Sequence, residues 1–291
     1  MPAQTPPYDR GVDGRAVPEG EPKKVGLLYH DLGIADVFVG DGQRGNALSS
    51  EDWRELEQTF RRLAEDDQLR AVVVRGQGGT FSAGSDMREW VQADRTDVAQ
   101  SFAAMEAAFT AIEDLPVPVI AEVEGVAAGA GCQLALACDL RVLADTARIG
   151  MPIARLGILV SPLFAARLST LVGPGVAREL LYTGRLVAAD EAVRLGLATR
   201  SVPAQELASA TRRLVLSVVR HPGAAIRAAK HAVDVALAPT RAAAKAQAAG
   251  PPVAYDDFQR GIMTFLTRNP RRGRGDSQDT GTHTDDEAPP D

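Results

Sequence analysis

Short apolar runs, each followed by a polar or glycine-rich turn and then by a helical period, set the rhythm of this chain. Residues 25–29 and 34–39 are apolar runs separated by His30-Asp31-Leu32-Gly33, which predicts a hairpin. The loop GDGQRGNALS follows. It ends in Ser49 or Ser50 as N-cap of an amphipathic helix that runs through Leu63. AVVVR, residues 71–75, is a continuous β-branched strand of the kind buried on both faces. Helix is then expected over 87–91 and 98–115, with Phe102, Met105, Phe109 and Ile112 on one face, until Pro116 and Pro118 stop it. A strand at 117–123 leads through the glycines and alanines of 125–131 into a helix at 132–138, followed by short strands at 140–143 and 148–150. From Ser161 the period is helical, over 162–171, 174–182 and 188–195. A strand-like run at 198–202 precedes helices at 205–219, 224–236 and 241–249. Gly250-Pro251-Pro252 must interrupt helix. A last amphipathic helix, 255–268, carries Phe258, Ile262, Phe265 and Leu266. The alternation is that of an α/β fold with a helical C-terminal region.

Composition adds limits to that picture. The chain has 291 residues, 45% of them hydrophobic, enough for one large core or two modest ones. A net charge of -6 and a pI near 5.4 argue against nucleic acid as a partner. No run approaches the roughly 18 apolar residues of a membrane span. Residues 1–24, rich in proline, glycine and charge, and the polar tail 270–291 are expected to be disordered. A core of alternating strands and helices is expected over 25–203 and a helical region over 204–269. Cys132 and Cys138 lie in one apolar helical stretch with no leading signal segment, so a disulfide framework is not expected and cytoplasm is the default location. The four histidines have no ligand spacing, and no metal site is expected.

The chemistry is concentrated in two stretches, 71–87 and 117–139. Each passes from a buried strand into a turn of glycine, alanine and serine and then towards a helix. Such a junction leaves N–H groups unpaired at a helix N-terminus, able to hold an anionic atom. Two of them facing each other would make an oxyanion hole.

These stretches resemble the signatures of a known family. FSAGSDMRE is similar to the first signature of the crotonase, or enoyl-CoA hydratase/isomerase, superfamily, and GVAAGAGCQLALACDLRVLADTARIGMP to its second. RLGILVSP, LVGPGVARELLYTGRLVAADEAVRLGLATRSVP and RGIMTFLTRNP follow in the family's order, so the resemblance covers residues 25–270. It implies a right-handed spiral of ββα units with a C-terminal helical trimerisation region, assembled as homotrimers or hexamers. The implied substrate is an acyl-CoA or acyl-carrier thioester, with coenzyme A as part of the substrate and no further cofactor. Ser85 and Ala130 match the two backbone oxyanion donors. Ser85, Asp86, Met87 and Arg88 match the adenine and pantetheine side, and Phe265 and Arg268 the aromatic and basic positions of the last helix.

The departures are as informative. Where hydratases carry a glutamate three residues after the second donor, this chain has Gln133, and in GMPIARLG Ile153 stands at the other glutamate. Neither side chain titrates near neutrality, so two-carboxylate hydration is not supported. Gln133 is instead expected to orient substrate or water. Glu124, with Glu122 on the same strand face, is the alternative base, against a structural pair at a strand end. Ser161 is expected as a helix N-cap, Asp86 to serve its turn, Glu89 to face solvent, Asp139 to be a buried structural carboxylate, and Cys132, Tyr182 and Tyr255 to pack in the core. Three readings stand: an oxyanion-hole enzyme on acyl thioesters, a hydratase using Glu124, and a catalytically silent CoA-binding or scaffolding subunit.

Overall fold

A computed structural model describes residues 24–248 and 250–268. The expected tail and all but the last residue of the expected arm lie outside the described residues. Strands β1 (Val25–His30) and β2 (Ile34–Val39) form the antiparallel hairpin, and β2 pairs in parallel with β3 (Ala71–Gly76). β3 pairs with β4 (Val119–Val123), β4 with β6 (Leu140–Ala144) and β6 with β9 (Arg200–Val202), all in parallel, giving a six-stranded sheet ordered β1-β2-β3-β4-β6-β9.

A second sheet, β5 (Val126–Ala128), β7 (Arg148–Gly150) and β8 (Leu186–Ala188), lies one step further along each turn of chain. Single parallel bridges, Ser82 to Ala127 and Leu48 to Ser85, continue its ladder towards the glycine-rich turns. The chain therefore lays one strand in the large sheet and a short one in the second layer on successive turns, which is the expected spiral of ββα units.

Helix α1 (Ser50–Ala64) buries Trp53, Leu56, Phe60 and Leu63 along one stripe. Ser49 caps it reciprocally with Asp52, its hydroxyl accepting from Asp52 N at 3.1 Å while its own N–H donates to the Asp52 carboxylate at 2.7 Å. α2 (Arg95–Glu113) lies beside α1 and buries Met105, Phe109 and Ile112. Each such side chain contributes about 1.5–3 kcal/mol on full burial. The other helices are α3 (Ala130–Ala137), α4 (Pro162–Thr183), α5 (Ala189–Arg194), α6 (Leu207–Val219), α7 (Gly223–Ala246) and α8 (Tyr255–Arg268). No described helix is long and apolar enough to cross a membrane.

Besides the unexpected short strand β8, three regions depart from the sequence expectation. The helices expected over 224–236 and 241–249 are one helix, α7, with Pro239 inside it. That proline removes one ladder bond from a helix of 24 residues and does not end it. The pieces expected over 162–171 and 174–182 join as α4, kinked at Gly173 (φ 75°), just before Pro174. The glycines and alanines of 125–131 are not turn alone, since β5 occupies Val126–Ala128 and α3 begins two residues earlier than expected, at Ala130.

Candidate active site

The first glycine-rich turn is held from beneath by Asn46, a buried residue in the left-handed region (φ 56°). Its carboxamide donates to Gln77 O and Thr80 O, both at 2.7 Å, and accepts from Gly42 N at 2.8 Å. Ser82 Oγ donates to Asn46 O at 2.9 Å and accepts from Gly84 N at 3.1 Å. Gly84 then turns at φ +100° and leads into Ser85, which bridges Leu48. Leu48 N donates to Gly84 O and Asp86 N donates to Leu48 O, each at 2.8 Å. That parallel pattern uses the groups flanking Ser85 and turns Ser85's own N–H to the opposite side.

The second turn meets it there. Gly129 (φ 58°, ψ -126°) is the residue before α3, and Ala130 is the helix's first residue, whose N–H has no intrahelical acceptor. Gly131 lets α3 rest on the first turn, since a Cβ would lie 2.1 Å from Ser82 O. A Cβ on Gly84 would lie 2.9 Å from Ala130 N, so the two turns touch at their donor ends. Among the described residues neither the Ser85 nor the Ala130 N–H makes a hydrogen bond.

A cavity of about 350 Å³ opens over these donors. It gathers Ser85, Asp86, Met87 and Arg88 from the first turn, Ala130 and Gln133 from α3, and Phe265 from α8. Arg268 ends α8, and its side chain lies outside the described residues. Ile153 lines the same cavity with Phe102, Met105, Ile158 and Leu266, and Arg44 joins Asp86 and Arg88 as a charged group in the wall. Asp86 is the one carboxylate among the lining residues. It caps the 3-10 turn Met87–Trp90 by accepting from Arg88 N at 3.1 Å, and its Oδ1 accepts from Arg88 Nε at 2.9 Å. Arg44 Nη1 stands 3.5 Å from Oδ2. Burial raises the pKa of Asp86, with Arg44 and Lys24 opposing the rise. No described residue hydrogen-bonds the Gln133 carboxamide, and no described group of acidic, histidine or cysteine side chains could hold a metal ion.

The alternative base does not reach this cavity. Glu124 is exposed at the end of β4 and is not a lining residue. Glu122, in place of loop N–H groups, meets Arg75 Nη1 at 3.0 Å, and Arg75 Nε lies 3.3 Å from Asp36. Burial raises the Glu122 pKa despite Arg75. Two further expectations are corrected. Asp139 is exposed, linking β4 to α7 by accepting from Val119 N at 2.7 Å and Lys230 Nζ at 2.9 Å. Tyr182 is 76% exposed at the end of α4. Tyr255 is partly buried, its hydroxyl donating to Ala93 O at 2.8 Å.

Ser161 does cap α4, accepting from Phe164 N at 3.1 Å. Glu89 is exposed and accepts from Ser50 N at 2.9 Å. Cys132 and Cys138 are free and buried, and burial pushes each thiol up to about 12. The sequence reading missed Asn46, whose cue was an asparagine closing a glycine loop, and Arg44, which had no cue beyond its charge.

Comparison with known proteins gives the chain's family. The sequence profile described as "Enoyl-CoA hydratase/isomerase" matches residues 31–272. A short-chain-enoyl-CoA hydratase of Clostridium acetobutylicum is 30% identical over 253 residues, 85% of this chain and 96% of that protein. A crotonyl-CoA hydratase of Syntrophomonas wolfei is 31% identical, over 83% of this chain and 95% of its own. The crystal structure of an enoyl-CoA hydratase of Mycobacterium smegmatis superposes with a TM-score of 0.69 at 32% identity, covering 85% of this chain and 97% of the other. Touching glycine turns, the cavity above them and matches along nearly the whole described chain place it together in one group: the chain belongs to the enoyl-CoA hydratase/isomerase family.

Proposed function

We propose that the protein is an acyl-CoA enzyme that works through a backbone oxyanion hole formed by Ser85 N–H and Ala130 N–H, and that it is not a two-carboxylate hydratase. The thioester carbonyl oxygen accepts from both donors. When the α C–H bond breaks, its electron pair enters the new C–C double bond, the carbonyl π pair moves to oxygen, and both N–H groups hold the enolate. Fixed donors of this kind are worth about 3–4 kcal/mol each where charge develops. Coenzyme A follows the wall of Ser85 to Arg88, with Phe265 of α8 alongside.

One observation carries this reading: two unused N–H groups meet at a cavity whose single lining carboxylate, Asp86, is engaged by Arg88. Gln133 and Ile153 line that cavity and cannot take up a proton near neutrality. The α-proton therefore leaves to solvent or buffer base, with Gln133 orienting substrate or water. Isomerisation, decarboxylation, retro-aldol cleavage and thioester hydrolysis are all reactions this device serves.

The test is exchange of the α-protons of butyryl-CoA in deuterium oxide, beside hydration of crotonyl-CoA. Exchange that rises with buffer base, without hydration, is the expected result. Absence of exchange over a panel of bound acyl-CoA thioesters would favour a silent CoA-binding subunit instead. A homotrimer or dimer of trimers belongs to the same reading. It is supported by α7, which has no fully buried residue and leaves Val233 and Val235 60% and 56% exposed. Sedimentation equilibrium tests it, and a monomer would count against it.

A further inference from the structure

Behind the first donor stands a side-chain relay that the site itself does not require. The Ser85 hydroxyl is engaged by two side chains. It accepts from Trp53 Nε1 at 3.3 Å and donates to Met105 Sδ at 2.8 Å. Trp53 is fully buried in α1, packed edge-on against Phe109 of α2 with ring centroids 5.4 Å apart. It is not a lining residue of the cavity. The hydroxyl thus ties the donor turn to α1 through an indole N–H and to α2 through a thioether.

The tie matters because of what precedes it. The Ser85 N–H belongs to the peptide joining Gly84 to Ser85, and Gly84, at φ +100°, offers no side chain to resist rotation of that peptide. Leu48 N–H holds that peptide at one point, its Gly84 O, and Leu48 O holds the next peptide at Asp86 N, while the hydroxyl anchors the residue between them. We propose that Trp53 is a positioning residue that steadies the Ser85 peptide through the hydroxyl, whose proton is taken by the cavity-lining Met105, so that the Ser85 N–H stays aimed into the cavity. This rests on the oxyanion reading above.

A displacement of about 1 Å at a positioned group is enough to cost on the order of 100-fold in rate. Loss of the indole donor alone, with Met105 and Leu48 still in place, is expected to cost about tenfold in binding of a charged oxygen, and little in binding of a neutral one. The full chain, with Trp53→Phe and Ser85→Ala/Trp53→Phe variants, is titrated calorimetrically with acetoacetyl-CoA, bound as its enolate, and with butyryl-CoA, and the Trp53 indole resonance is recorded with each. The Ser85 amide resonance is followed in parallel.

The wild-type Ser85 amide should shift on acetoacetyl-CoA binding. Trp53→Phe should lose about tenfold in acetoacetyl-CoA affinity, hold butyryl-CoA within about twofold, and be no better than the double variant by more than about twofold. The wild-type Trp53 indole resonance should shift on acetoacetyl-CoA and not on butyryl-CoA, and an indole indifferent to acetoacetyl-CoA overturns the inference if Trp53→Phe does not fold. A wild-type Ser85 amide that does not respond overturns the oxyanion reading and this inference with it. A normal wild-type response with undiminished enolate affinity in the folded variants overturns this inference alone. Equal losses for both thioesters would mark a general packing role and overturn it too.

Discussion

The N–H of Ala130 can be deleted almost without touching the fold, because Ala130 is the first residue of α3. Proline is tolerated at that position: the N–H it lacks is one the helix does not use, and its fixed φ suits the first turn. The preceding Gly129, at φ 58° and ψ -126°, has no Cβ to clash with the ring. Ala130→Pro should therefore fold, with a Tm equal to or slightly above that of wild type, since proline also narrows the unfolded ensemble by about 0.4–1 kcal/mol at compatible sites. Its effect on chemistry should be large. One of two donors is lost, which corresponds to about 3–4 kcal/mol, or on the order of 100- to 1,000-fold in the rate of enolate formation. Ala130→Gly, which keeps the N–H, is the control and should stay within about threefold. Mass-spectrometric detection of deuterium uptake into butyryl-CoA measures both. A folded Ala130→Pro protein exchanging within about tenfold of wild type would refute the assignment of that donor.

Other consequences are as direct. Gly84→Ala places a Cβ 2.9 Å from Ala128 O and Ala130 N at φ +100°, so chemical denaturation should show a loss of at least about 1–3 kcal/mol, with acyl-CoA binding impaired as well. Asn46→Ala removes the donor to Gln77 O and Thr80 O and the acceptor for Gly42 N, and at about 1 kcal/mol per bond should cost about 3 kcal/mol in urea unfolding. The pKa of Glu122 is raised in the fold by burial, so the folded chain holds its proton more tightly than the unfolded one. Its stabilising share is complete below the ordinary glutamate pKa and is lost as pH rises through the raised folded value. Urea midpoints from pH 4 to 8 should show a decline that Glu122→Gln lacks. Cys132 and Cys138, buried with thiols pushed up to about 12, should resist alkylation at pH 8 until the chain unfolds.

Most of the fold was legible because its signals are local. The β-branched run of β3, the Ser49 and Ser161 caps, and the stripe of Trp53, Leu56 and Phe60 each state their own structure. The three-residue strands β5 and β8 were not legible, since three residues carry no period and their partners lie far along the chain. Pro239 misled for the opposite reason, because a local breaker was outweighed by a long alanine-rich helix. Glycine-rich junctions and the motif order point to Ser85, Ala130 and Gln133, and all three line the same cavity. Glu124 shows the limit of that method: the sequence places a carboxylate near the second turn, but only the sheet decides that it ends outside the cavity. Asn46 and Trp53 act through bonds to residues more than thirty positions away, which no reading of neighbours reveals.

The central claim is that the chain keeps the anion-stabilising half of a hydratase site and lacks the proton-moving half. The most direct measurement is the rate of crotonyl-CoA hydration by wild type and by the Gln133→Glu/Ile153→Glu variant, which places two carboxylates in the cavity wall beside the same donors. The account predicts no hydration above background by wild type and measurable hydration by the variant. Efficient hydration by the unaltered protein would contradict it.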